Sequence, residues 1–130
     1  DEGTSTSGEG RIIKINAAVA PPADARLDWE ILIDLAERLG RGQYFPFRST
    51  REIFEELCLA SAGGTADYKG VTWERVEDEM GLFWPVPEVG HPGTPRLFEG
   101  GKFFHPDGKA RFHPIPFRES AEVVDDEYPI

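Results

Sequence analysis

The sequence has 130 residues, of which 39% are hydrophobic and 12% aromatic, which is enough for one small core and too little for two. Its 24 acidic and 14 basic residues give a formal net charge of −10, and the basic residues are scattered, so we expect no nucleic-acid binding. No apolar run reaches the roughly 18 residues of a membrane span, and we expect no insertion into a bilayer.

The single cysteine, Cys58, cannot form a disulfide within the chain, and one thiol cannot ligate an iron–sulfur cluster. This usage fits a reducing compartment, and we expect a cytoplasmic location. Cys58 follows Leu57 on an apolar helical face, which favours a small buried hydrophobic side chain over a nucleophile.

The first ten residues consist of Gly, Ser and Thr with acids between them, a composition typical of a solvated or ligand-lining loop. Alternating polarity from Arg11 to Val19 then predicts one strand, which ends at Pro21-Pro22. Ile13 and Ile15 would lie on one face of this strand. No hairpin partner is evident nearby.

The clearest helix is predicted from an N-cap at Asp28 to about Leu39, with Gly40 as the residue that stops it. Its apolar stripe would consist of Leu32, Leu35, Ala36 and Leu39, flanked by Trp29 and Ile33.

A second helix is predicted after a capping box in which Ser49 and Glu52 each bind the other's backbone amide. Its buried face would comprise Ile53, Phe54, Leu57 and Cys58.

After the Gly63-Gly64 break, Thr72 is predicted to cap a third short helix that ends at Gly81. This helix would carry Trp73, Val76 and Met80.

Seven prolines between residues 82 and 118 leave no room for a further ordinary helix. We expect turns at Gly100-Gly101 and at residues 106–108. Short strands are expected at Arg96–Phe98, Lys102–Phe104 and Lys109–His113.

The chain is thus predicted to be α+β, with about three short helices, a few short β-strands or a hairpin, and a Pro-rich C-terminal third. Its three parts would be residues 1–24, 25–81 and 82–130 of a single segment.

The residues alone predict no catalytic group and no metal site. His91, His105 and His113 each precede a proline and match no compact zinc spacing, which favours a turn role. Glu52 and Glu56 could pair as acid and base, but acids on helix faces are usually solvated.

Glycines in the first ten residues, or Gly93, could let backbone amides approach a phosphate, although neither stretch matches a known phosphate loop. The opening segment therefore remains either a flexible terminus or part of a ligand site.

A series of blocks, in order along practically the whole chain, resembles the catalytic subunits of molybdopterin oxidoreductases of the dimethyl sulfoxide reductase family. The first block, Glu2–Arg11, resembles the family's E-G-T-x-T-N-x-E-G-R. The others are Ala25–Trp29, Leu35–Gly40, Glu52–Leu57, Ala66–Gly70, Trp84-Pro85, His91–Phe98, Gly108–Phe112 and Asp126–Pro129. The assimilatory nitrate reductases are most similar around residues 91–111, and formate dehydrogenases share most of the blocks.

The resemblance implies an internal segment of a larger subunit, between its central domains and its C-terminal domain. The parent would bind molybdenum, or tungsten, through two molybdopterin guanine dinucleotides, and would carry a 4Fe-4S cluster. It would reduce nitrate to nitrite or, alternatively, oxidise formate. The segment itself would neither bind metal nor catalyse. Its partners would be the remaining domains of the subunit, and the parent would receive electrons from a donor protein or subunit.

The resemblance also nominates the residues that would contact the cofactor region in the intact subunit: Gly3, Thr4, Thr6, Glu9 and Arg11. Ser7 stands where many members of the family have Asn. Alternatively, Glu9 and Arg11 form a local ion pair and Gly3 is a turn position. We expect residues 1–10 to be unordered without the cofactor.

A hypothesis of a different class is a free-standing protein-binding or scaffold module. Its exposed partner surface would be the aromatic cluster of Tyr44, Phe45, Phe47, Phe83 and Trp84.

Overall fold

The computed structural model describes residues 2–129, so Asp1 and Ile130 lie outside the described residues. The chain divides into two compact units, one ending at Leu97 and the other beginning at Phe98. Each unit is described by itself.

The first unit begins with a β-hairpin, not with a loop. Strand β1 (Gly3–Thr6) pairs antiparallel with β2 (Arg11–Ile15), so that Gly3 lies opposite Ile15 and Thr6 opposite Ile12. The prediction of a loop over the first ten residues was therefore wrong, as was the prediction that β2 lacks a nearby partner. Short Thr and Ser side chains are compatible with a half-exposed strand when its backbone amides are hydrogen-bonded to a neighbouring strand.

Strand β2 was predicted correctly in kind but is shorter than expected, because it ends at Ile15. Ile12 is 1% exposed, while Ile13 and Ile15 are 37% and 44% exposed, so the face with Ile12 is the one directed into the core. A third strand, β3 (Leu82–Phe83), pairs antiparallel with β2 and completes the sheet in the order β1-β2-β3.

Helix α1 (Asp28–Arg38) lies close to its predicted bounds, but Leu27 is its N-cap and makes no side-chain capping bond. Gly40 has φ +68°, as expected of a residue that ends a helix in the left-handed conformation. Of the residues in the predicted apolar stripe, Ala36 is buried, whereas Leu32, Leu35 and Leu39 are exposed. A short 3₁₀ turn, Gly42–Tyr44, follows the helix.

Helix α2 (Thr50–Ala60) begins at the predicted Ser49 cap, whose hydroxyl oxygen accepts from the Glu52 amide at 3.2 Å. The Glu52 carboxylate accepts from the amide of Arg48 at 2.7 Å instead of from Ser49. Phe54 and Cys58 are buried as predicted. Leu57 is 49% exposed, so its predicted burial was wrong.

Helix α3 (Trp73–Asp78) begins at the predicted cap, because the Thr72 hydroxyl accepts from the amide of Arg75 at 3.2 Å. It ends before Met80, which has φ +55° and is 83% exposed. The prediction that this helix carries Met80 was wrong, because the helix ends at Asp78. The chain instead turns at Met80 and Gly81 so that β3 can reach β2.

The main core joins the sheet to α2 and α3, and the ring of Phe54 meets that of Trp73 edge to face at 5.9 Å. Its buried members are Ile12, Phe54, Cys58, Val71, Trp73, Val76, Leu82 and Val86.

The second unit has little regular structure. A 3₁₀ turn occupies Glu99–Gly101, and Phe98 stacks on Phe103 at 4.6 Å between ring centroids. The turn at residues 106–108 is confirmed, since the amide of Gly108 donates to the His105 carbonyl at 2.8 Å.

The strands predicted at Arg96–Phe98, Lys102–Phe104 and Lys109–His113 are absent from the described part of this region, and those predictions were wrong. The physical reason is that the runs are only three to five residues long, and Pro95, Pro106 and Pro114, which lack amide donors, prevent their extension into a longer ladder. The α+β class, with three helices and a small antiparallel sheet, is confirmed. Within residues 2–129, no helix is long and apolar enough to cross a membrane.

Candidate functional site

The five nominated residues all lie on the β1–β2 hairpin. Gly3, Thr4 and Thr6 are in β1, Glu9 is in the connecting turn, and Arg11 is the first residue of β2. Because Gly3 pairs with Ile15 at the open end of the hairpin, Gly3 and Thr4 are at the opposite end from Glu9 and Arg11. The hairpin therefore separates the candidates into two groups.

The hairpin turn is held by its own backbone and by Ser7. The Ser7 amide donates to the Arg11 carbonyl at 2.9 Å, and the Gly10 amide donates to the Ser7 carbonyl at 2.9 Å. The Ser7 hydroxyl accepts from the Arg11 amide at 3.3 Å. Ser7 thus has a structural bond at the position where the resembled motif carries Asn.

Gly10 is favoured at the turn by its backbone conformation, and it lies against the Trp84 indole. It has φ +87°, and a Cβ atom there would approach the Trp84 indole to 3.4 Å. Its carbonyl accepts from the Trp84 amide at 3.1 Å, which ties the turn to the chain beyond β3.

Arg11 and Glu9 form the local ion pair that was the alternative to a ligand role. Arg11 Nε lies 3.1 Å from Glu9 Oε1, and the guanidinium carbon lies 4.5 Å from the centroid of the Phe83 ring. Both side chains are largely exposed, so the ion pair itself contributes little stability. The cation–π contact fixes the guanidinium beside the sheet.

Gly3 and Thr4 line a cleft of about 290 Å³ between β1 and the starts of α1 and α2. The other lining residues are Asp28, Trp29, Thr50, Ile53, Phe54 and Leu57. Sequence reasoning nominated Gly3 and Thr4 only through the family motif, and it missed Trp29 and Thr50 as neighbours. No local signal identifies them, because the cleft forms only when the two helices meet β1.

Trp29 carries an unusual feature beside this cleft. Its indole Nε1 is buried and has no hydrogen-bond partner among the described residues. A buried N–H without a partner costs stability, so the chain as it stands leaves one donor unsatisfied at this point.

The cleft does not suit a dinucleotide pyrophosphate by itself. The lining residues that the structure describes include the Asp28 carboxyl and no Lys or Arg, whereas phosphate sites normally supply cations or clustered amides. Arg11, the cation among the five candidates, binds Glu9 instead.

No group of three or more His, Cys, Asp or Glu side chains within residues 2–129 is arranged to hold a metal ion. His91 Nδ1 accepts from the Gly93 amide at 3.1 Å, so it serves a turn. Gly93 itself packs against the backbone of Phe83, and a Cβ there would lie 3.0 Å from the Phe83 oxygen, so it offers no open phosphate cradle.

Cys58 is buried at 6% exposure. Burial raises the pKa of its thiol to about 11, with a smaller contribution from the negative charge of Glu55. The thiol is therefore protonated at neutral pH, and the prediction of a buried hydrophobic side chain is confirmed.

The aromatic cluster of the binding-module hypothesis is not one exposed surface. Tyr44 and Phe45 are 59% and 40% exposed. Phe83 and Trp84 are partly buried, the first under Arg11 and the second against Gly10.

Comparison with known proteins adds family information to this geometry. Residues 1–38 match the model of the molybdopterin oxidoreductase family. The chain is 49% identical to the assimilatory nitrate reductase catalytic subunit of Bacillus subtilis over 89% of its own length and 16% of that protein. It is 39% identical to a formate dehydrogenase alpha subunit of Methanococcus maripaludis, over 99% of the chain and 18% of the relative.

A periplasmic nitrate reductase of Desulfovibrio desulfuricans is 34% identical, over 99% of the chain and 19% of that relative. The chain thus spans less than a fifth of the length of these curated relatives. The resemblance read from the sequence blocks is confirmed for the family.

Proposed function

We infer that this chain, which is similar to molybdopterin oxidoreductase catalytic subunits along most of its length, is a segment of such a subunit. We further propose that the parent subunit reduces nitrate to nitrite. The observation that carries this proposal is the 49% identity to an assimilatory nitrate reductase catalytic subunit over 89% of the chain.

In the proposed reaction, nitrate takes up two electrons and two protons and releases nitrite and water. The group that supplies this redox chemistry when bound would be molybdenum, or tungsten, on two molybdopterin guanine dinucleotides. A 4Fe-4S cluster elsewhere in the subunit would pass electrons from a donor protein. The described residues of this chain form no complete site for the dinucleotide, so the chain's own contribution would be structural.

That contribution would come from the two ends of the hairpin. At one end, Gly3 and Thr4 would border the cofactor-bearing part of the subunit across the cleft. At the other end, the Arg11 guanidinium would hold the hairpin turn beside the sheet through its contacts with Glu9 and Phe83. A hairpin already held in place leaves little ordering to be done when the rest of the subunit packs against it.

Formate oxidation is the second candidate. It is favoured by the formate dehydrogenase alpha subunits of Methanococcus maripaludis, which match 99% of the chain at 39–40% identity. The nitrate reductase of Bacillus subtilis matches less of the chain but at higher identity. The higher identity is why we favour nitrate.

The test uses the complete gene product. Metal content is measured by mass spectrometry, and turnover is measured with reduced methyl viologen plus nitrate and, separately, as formate-dependent dye reduction. Molybdenum or tungsten with nitrate turnover is the expected result. Formate turnover without nitrate turnover transfers the assignment to the second candidate. A product that contains no metal and is no longer than this chain supports the binding module instead.

We also propose a cytoplasmic location for the parent, as an assimilatory function requires. The periplasmic relative gives the alternative. Cell fractionation with an antibody against this segment distinguishes the two, since recovery in the periplasmic fraction contradicts the proposal.

A further inference from the structure

Helix α1 carries far more apolar surface than this chain covers. At 100° per residue, Ile31, Leu35, Leu39 and Leu32 occupy an arc of about 100°, and the one charged side chain within it is that of Asp28 in the first turn. These four side chains, here called the leucine stripe, are 45%, 50%, 68% and 59% exposed, respectively.

The buried side of α1 is a different arc. Ala36 is buried, and Ile33 and Trp29 are partly buried, about 40–100° further round the helix from the edge of the leucine stripe. The polar side of the helix is marked by Asp34, which binds both Arg26 and Arg38. About 200° of the helix surface is therefore apolar, twice the width that one packing partner needs.

The helix also stands apart from the main core. Among the described residues, none from α1 belongs to the core cluster formed by the sheet, α2 and α3. Its principal neighbour is the 3₁₀ turn Gly42–Tyr44, which follows it directly. A helix that has apolar side chains on two sides and lies at the edge of its own core is suited to pack between two parts of a protein.

We propose that the leucine stripe packs against the remainder of the molybdopterin oxidoreductase module, a part of the subunit outside this sequence. The match to the family model covers residues 1–38 and thus ends with α1. The relatives are more than five times as long as the chain. The rest of a parent subunit of that length would supply a large apolar partner within the same polypeptide. The inference rests on the segment assignment of the proposed function, but not on the reaction catalysed.

A stripe of three leucines and one isoleucine favours a dry, hydrophobic partner surface. The one basic side chain at its edge, Arg38, is bound to Asp34 at 3.3 Å and does not call for an acidic partner. A permanent intramolecular contact fits this composition, because exposed patches of this kind are otherwise a cause of aggregation. The leucine stripe, and not the aromatic cluster, is thus the docking surface.

The experiment is hydroxyl-radical footprinting of the complete subunit, read by mass spectrometry residue by residue. Each labelling rate is compared with the rate for the same residue in urea. Val86, which is fully buried within this chain, gives the level for a packed side chain. Leu35 is expected to label about tenfold more slowly than in urea, as Val86 does, because a packed side chain loses nearly all its accessible area.

The outcome that overturns the proposal is labelling of Leu35 within about twofold of its rate in urea, since that corresponds to its half-exposed state in this chain. A second overturning outcome is protection only at concentrations where the subunit dimerises, because the occupant would then be a second copy. Sedimentation of the Leu35→Lys subunit identifies this case.

A variant pair adds an independent readout in the complete subunit. Leu35→Lys is expected to lower the thermal midpoint, while Glu37→Lys, on the polar side of the same helix, leaves it unchanged. Equal midpoints for the two variants contradict the proposal.

The failure of this inference is distinguishable from failure of the proposed function. Protection of Leu35 in a subunit without nitrate or formate turnover refutes the proposed reaction but supports the docking of the leucine stripe. Turnover in a subunit with an accessible Leu35 supports the reaction but refutes the docking.

Discussion

The hydroxyl oxygen of Thr6, in β1, lies 3.0 Å from the phenol oxygen of Tyr68, which precedes α3. This bond joins the edge strand of the sheet to a loop 62 residues away in sequence. Within the sheet, the edge strand is paired with β2 alone, since β1 is at the end of the strand order. The pair therefore helps to hold the strand that carries three of the five candidate site residues.

We expect Thr6→Val and Tyr68→Phe each to reduce the free energy of unfolding by about 0.5–1 kcal/mol, since each removes one partner of an exposed hydrogen bond. The double variant should lose little more than either single variant, because both changes remove the same bond. Urea unfolding of all four proteins measures the coupling. Thr4→Val is the matched control, as the Thr4 hydroxyl makes no hydrogen bond within the described residues. Additive effects of the two changes would contradict a direct bond.

Local signals predicted the parts of the fold that depend on neighbouring residues. The caps at Ser49 and Thr72 and the stop at Gly40 were readable because each is satisfied within four residues along the chain. Strand β1 was missed because its composition is that of a loop. Its support comes from a pairing and from Tyr68, neither of which periodicity reveals.

The exposure of the α1 leucines could not be predicted, for a related reason. An apolar stripe shows that a helix packs, but it does not show whether the partner is in the same sequence. The candidate site was likewise predicted only in part, because its lining combines segments that are distant in sequence. Gly3 and Thr4 were found through the motif resemblance, whereas Trp29 and Thr50 entered only when the cleft was seen.

Substitution of Arg75 is predicted to destabilise the first unit more than substitution of an exposed cation. Its guanidinium donates to the Gly70 carbonyl at 3.0 Å and to the His91 carbonyl at 2.9 Å, and its side chain is only 15% exposed. Arg75→Lys should reduce the free energy of unfolding by about 1.5–3 kcal/mol, because one ammonium group cannot replace a fork that reaches two segments.

The matched control for this change is Arg51→Lys in urea unfolding. Arg51 pairs with Glu55 and Glu74 on the surface and is 47% exposed, so its substitution should hardly shift the urea midpoint. Equal shifts for the two variants would show that Arg75 acts as an ordinary surface ion pair.

Asp67 is predicted to contribute to acid sensitivity. Its carboxylate accepts from the amides of Lys69 at 2.9 Å and Gly63 at 2.8 Å, and these bonds hold its pKa below the usual value of 3.8. Because the pKa is lowered in the folded state, the stabilisation is complete above the unfolded pKa and is lost as the pH falls through the folded one. The urea midpoint of the wild type should therefore decrease as the pH is lowered below about 4.

Asp67→Asn provides the comparison. It should be less stable than the wild type at pH 7, because an amide NH₂ would face one of the two backbone donors. Its urea midpoint should fall less steeply between pH 5 and pH 3, values above and below the unfolded pKa. Parallel pH profiles for the two proteins would mean that Asp67 is not a source of the acid sensitivity.

Gly3 offers the sharpest test of the nominated cofactor residues. A Cβ atom at Gly3 would meet no atom within 4 Å, and its φ is not in the left-handed region, so the chain itself has no need for glycine there. Gly3→Ala should leave the unfolding free energy of this chain unchanged or raise it by about 0.5 kcal/mol, through the smaller entropy of the unfolded state. By contrast, Gly70→Ala would drive a methyl group into the carbonyl of Glu88 and should cost about 3 kcal/mol or more.

In the complete subunit, Gly3→Ala should lower the molybdenum content per polypeptide if a cofactor or its supporting loop approaches β1 closely, because the added methyl group fills that space. Mass spectrometry of the metal, with urea unfolding of the same variant in this chain, separates the two effects. Full molybdenum content in a Gly3→Ala subunit would remove Gly3 from the candidate site, since neither the fold nor the cofactor would then require it.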